Sequence, residues 1–387
     1  MNQSLLLHVV ERLEGLVGKL PATIQKPILS ELTPLKELFL RQRAPRFLFS
    51  GSSKTPLPEI LHTLFPEAAL DTSRGISIEN RWQDVSVTDR GIISVLDVRT
   101  VGGSLGSEVQ DELDRQPADI IFFVSDGENP RGRRKASIDN LLGSIRANDK
   151  SRPNTKVVAL VVAESKTSTA QNHAAATHTD GATNLQSTLE SNGIAEGQLT
   201  GVFRVVTERE RQRILSAVAR DLPNDARIEM ARLSGNKEAQ ADIAHLLVKS
   251  TTAICTAIGA QPIPLADLPI LTTLQLVMVS GIMYISGRER SLRAATEFVG
   301  ALGANVGAGM LLREGTRAIL KFFPGWGNVV CGMVAGAGTY AIGRAATAFF
   351  VEGVSLKDAR RTYLASRKTP ARPRLPGPKG RVKERKR

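Results

Sequence analysis

Between Arg46 and Leu222 short apolar runs alternate with helical patterns, and this alternation restricts the fold most. The runs are RFLFS from position 46, DVSV with GIISVLD, DIIFFVS, KVVALVVA and GVFRVV, each rich in β-branched or aromatic residues and bounded by polar turns. EILHTLF, SIDNLLGSIRA, LQSTLESNG and ERERQRILSAVARDL repeat their apolar positions at helical spacing between them. Continuously apolar strands joined by helices predict a mostly parallel sheet buried on both faces, an α/β fold.

The first strand runs into a glycine and a polar loop, FSGSSKTPLPEI, before the first helix. That is the layout of a phosphate-binding loop, G-x-x-x-x-G-K-[ST], in which backbone N–H groups cradle phosphates, Lys reaches their oxygens and the hydroxyl binds magnesium. Counted without gaps from Gly51, the Gly-Lys-[ST] positions fall on Pro56, Leu57 and Pro58, so two donors, the cation and the hydroxyl are lost. A shorter loop would put Lys54 and Thr55 in those roles instead. The bland reading of Gly51 and its neighbours is a tight turn into a helix.

In the succession and spacing of its strands, the stretch 46–222 resembles the G domain of Era- and TrmE-like bacterial GTPases. Three further places bear on that resemblance through the family's motifs. LDVRT keeps Asp97 but has Thr100 where D-x-x-G requires glycine. After the fifth run, Ala163, Glu164, Ser165 and Lys166 stand where [NT]-K-x-D would read a guanine base, so a cation replaces the selecting carboxylate. Thr72 in LDTSRG is a candidate for the family's switch threonine, although single threonines in loops are common.

The resemblance implies a P-loop GTPase-like sheet, with Gly51, Lys54, Thr55 and Asp97 as the remnants of a GTP and magnesium site. The joint departure of three motifs while strands and helices persist implies a degenerate G domain, without catalytic residues and without a required cofactor.

Downstream, residues 252–353 are rich in Gly, Ala and Val. PIPLADLP at 262–269, LTTLQ at 271–275, PGWGN at 324–328 and TYAIGRA at 339–345 resemble the YcjF-like domain of unknown function, which occurs behind bacterial GTPase domains. An all-α hydrophobic helical domain is expected there. Its two charge-free runs, 268–287 and 322–343, have about the length a bilayer-spanning helix needs. The segment between them carries Arg288, Arg290, Arg293, Arg313, Arg317 and Lys321, and moving it across a bilayer opposes the positive-inside tendency. A shallow hairpin or peripheral attachment avoids that conflict, and a soluble bundle is the alternative. At the edges of the runs, Asp267 is expected to cap a helix, and Arg344 to pair with an acid or to snorkel.

Charge is concentrated at one end. Residues 357–387 hold 13 Lys or Arg against 2 acids, or +11, which leaves +2 of the total of +13 for everything before them. Prolines among those residues read as a tail without fixed structure. Cys255 and Cys331 lie in apolar stretches without metal-ligand spacing, consistent with a reducing cytoplasm, and MNQSLLLHVVERLEG lacks the basic start of a signal peptide. His173 and His178 fall in a Ser/Thr/Ala-rich insertion and read as solvated loop residues.

The expected organisation is N-terminal helices over 1–43, a degenerate GTPase-like domain over 44–222, a helical linker over 223–251, the hydrophobic helical domain over 252–353 and a basic tail over 354–387. The expected function is that of a non-catalytic regulatory or scaffold protein at the cytoplasmic face of the inner membrane. Its expected partners are anionic lipid, an unnamed protein and, as an option, a second copy. A GTPase with unorthodox contacts stays open, with Lys54, Thr55 and Asp97 as ligands. A nucleic-acid-binding tail is the third reading, weakened by a single aromatic, Tyr363.

Overall fold

The computed structural model describes residues 42–66, 80–87, 90–99, 105–126, 131–162, 184–195, 197–204, 207–260, 267–303 and 326–368, with scattered positions between 11 and 33. Thr72, Thr100, the 163–166 loop, His173, His178, most of the first 41 residues and the chain from 369 lie outside the described residues, as do the side chains of Asp267 and Cys331.

Six strands form one sheet: β1 (Arg46–Gly51), β2 (Gln83–Val87), β3 (Gly91–Asp97), β4 (Ile120–Ser125), β5 (Lys156–Val161) and β6 (Leu199–Arg204). Their order across the sheet is β2-β3-β1-β4-β5-β6. All neighbours run parallel except β2, which pairs antiparallel with β3. The α/β fold read from the sequence is therefore present.

Central β1 shows why its run is apolar throughout. Phe47 and Phe49 face one side of the sheet, where they meet Phe122 at ring-centroid distances of 5.3 and 5.0 Å. Leu48 faces the other side, with Leu96, Ile121 and Phe123. A strand covered on both faces has no polar side to alternate with.

Helices α1 (Leu57–Leu64), α2 (Ser107–Arg115), α3 (Arg131–Ser151) and α4 (184–191) lie between strands along the chain, and α5 (Glu208–Asp221) follows β6. The prolines that break the phosphate-loop pattern start α1. Pro56 is its N-cap residue and Pro58 sits in its first turn, where the helix needs no N–H donor. Thr207 and Glu210 close a capping box on α5.

The chain continues through α6 (Asn224–Ser234), α7 (Lys237–Gly259), α8 (Asp267–Ile285), α9 (Leu292–Gly303), α10 (Trp326–Ala346), a π-helical turn (Thr347–Glu352) and α11 (Leu356–Lys368). The expected all-α region is thus helical where it is described. One apolar cluster runs unbroken from Phe47 and Phe49 through Ile214 of α5 and Ile228 of α6 to Ile254, Met278 and Ile342 in α7, α8 and α10.

Helices α7 and α10 approach at glycines. A Cβ added at Gly332 would lie 2.8 Å from the Thr256 carbonyl oxygen, and one at Gly343 would lie 2.8 Å from Val248 Cγ1. The apolar run expected as a candidate membrane segment is α8, and its Leu271, Leu274, Met278, Val279, Ile282 and Ile285 are buried within the protein's own core. Among the described residues no helix is long and apolar enough to cross a membrane.

The basic end differs from the expected unstructured tail, because 356–368 is helical. Ala359 and Tyr363, four residues apart, bury one face of α11, and Ser355 Oγ accepts the Asp358 N–H at 3.2 Å to cap it.

A polar staple joins sheet and helices at the N-terminal end of β4. Asp119, with its side chain fully buried, accepts two 2.7 Å bonds from Arg43, one at 2.9 Å from the Arg46 N–H, and another from Arg152. Arg43 Nε also donates to Asp225 Oδ2 of α6 at 2.8 Å.

Candidate functional site

The carboxyl ends of β1, β3 and β4 bring the sequence-predicted residues together, as expected for a ligand crevice in an open α/β sheet. Gly51 closes β1 with φ +104°, and a Cβ there would lie 2.8 Å from the Val124 nitrogen and closer still to its carbonyl oxygen. The glycine is thus required by the approach of β1 to β4. The next N–H, of Ser52, donates to Val124 O at 2.8 Å and is spent on the sheet.

Beyond it the loop turns acceptors inward. Arg99 Nη1 donates to the carbonyl oxygens of Thr55 at 2.8 Å and of Ser52 at 3.3 Å. Its Nε and Nη2 each donate to an Asp97 oxygen at 2.8 Å, and its backbone N–H adds a 3.1 Å bond to the same carboxylate. The Arg99 side chain is only 3% exposed. Asn140 of α3 fixes the turn between the pair by donating to Val98 O at 3.1 Å.

A second ion pair flanks the first. Asp126, just after β4, has a side chain 4% exposed and accepts from Ser52 Oγ at 3.0 Å. Lys54 Nζ lies 3.3 Å from the same oxygen, with its side chain 42% exposed.

Gly51, Lys54, Thr55 and Asp97 therefore share one site, but Thr55 contributes its carbonyl, and Asp97 and Lys54 are engaged by protein groups. Two acids face two bases, so the formal charge of the four side chains balances. Both Asp97 oxygens are held by a guanidinium, and a phosphate would meet carbonyl oxygens where it needs donors. Sequence reasoning missed Ser52, Arg99 and Asp126. The signals were the D-x-R spacing in LDVRT and the acid directly after IIFFVS, both at strand ends.

Elsewhere, Tyr284 of α8 donates to Glu229 Oε1 at 2.6 Å and accepts from Arg232 at 2.9 Å, while the guanidiniums of Arg232 and Arg290 lie 4.4 and 4.1 Å from its ring centroid. Burial, then the hydrogen bond to Glu229, pushes the phenol above the usual tyrosine range. Arg344 pairs with a histidine instead of the expected acid, donating to His245 Nε2 at 2.9 Å. Burial pushes the Cys255 thiol up to about 12. Among the described residues no cluster of His, Cys, Asp and Glu could hold a metal ion. No family model matches the chain, and none of the curated proteins matches it.

Proposed function

We propose that this chain is a non-catalytic regulatory or scaffold protein built on a P-loop GTPase-like domain, with a YcjF-like helical region behind it. The mostly parallel six-stranded sheet, with the Gly51 loop leaving the carboxyl end of central β1, supports the G-domain part.

One observation carries the non-catalytic part. The buried Arg99 guanidinium holds Asp97, the acid that the motif reading assigns to the magnesium site, and the Ser52 and Thr55 carbonyls of the loop that it assigns to phosphate. Nucleotide entry would have to break that pair, and a buried charge left without its partner costs about 3–5 kcal/mol. The ordered loop instead offers a fixed surface to a partner.

The test is titration of the full chain with GTP and magnesium, followed by calorimetry and a phosphate-release assay. No saturable binding and no turnover are expected. Turnover that Lys54→Ala or Asp97→Ala abolishes would overturn the reading and make the protein a GTPase.

A further inference from the structure

We draw no further inference here: the strongest candidate, the apolar surface patch of Met333 and Val334 on α10, 54% and 40% exposed, carries none because nothing in the structure shows what covers it.

Discussion

Arg99 grips Asp97 through two hydrogen bonds of 2.8 Å at a separation of only two residues, and the same guanidinium reaches across to Thr55 O at 2.8 Å. One side chain thus neutralises the acid at the end of β3 and holds the loop that follows β1.

Removing it should be costly. Arg99→Leu leaves Asp97 charged and unpaired in a largely buried site, and it strips a donor from two carbonyls. Destabilisation of about 3–5 kcal/mol is expected in urea unfolding. Adding Asp97→Asn should recover part of that loss. A cost for Arg99→Leu near zero would mean that the guanidinium is held weakly.

Two glycines of positive φ should respond differently. At Gly51 (φ +104°) an alanine would strain the backbone and drive its Cβ into Val124, whereas at Gly353 (φ +76°) nothing lies within 4 Å of the added carbon. Gly353→Ala should cost about 1–2 kcal/mol, the left-handed penalty alone. Gly51→Ala should cost clearly more, because the β1–β4 ladder must part. Paired thermal melts decide it, and equal losses would refute the steric account.

Cys255 should behave as an inert thiol. Full burial and a titration pushed up to about 12 leave almost no thiolate at pH 8. In a Cys331→Ala background, iodoacetamide should label the native protein negligibly at pH 8 and label it readily in denaturant. Rapid labelling of the native form would show that α7 opens.

Tyr284 should shape the alkaline limb of stability. Its folded titration lies above the unfolded value, so its contribution is fully present below about pH 10 and is lost as pH rises through the folded value. Tyr284→Phe should cost about 1–2 kcal/mol at neutral pH by removing the bonds to Glu229 and Arg232, and should flatten the decline above pH 10. Denaturant midpoints from pH 7 to 11 measure both effects.

The strands were legible because burial on both faces leaves unbroken apolar runs such as IIFFVS. Helix α2 was not, since SEVQDELDR places only Val109 and Leu113 in the core and is otherwise charged or polar. Asp97 and Lys54 could be named from spacing, but their partners could not. Arg99 gains its role from carbonyls more than forty residues away, and Asp126 from a loop on another strand. Run 268–287 showed its apolarity but not its surroundings, because a helix at the centre of a bundle and one facing lipid draw on the same residues. α8 lies among α7, α9 and α10, and its Leu271, Leu274, Ile282 and Ile285 are covered by protein.

The unbroken apolar cluster that joins Phe49 to Ile342 also decides how the molecule can be divided. A piece ending at Leu222 would leave bare the sheet-side surface that Ile228, Met230 and Leu233 cover, and Arg43 would lose its anchor on Asp225. Such a fragment would be prone to aggregate however well its own strands pair. Sheet and helices should accordingly melt in one transition, and a partner that grips the helices would be felt by the strands as well.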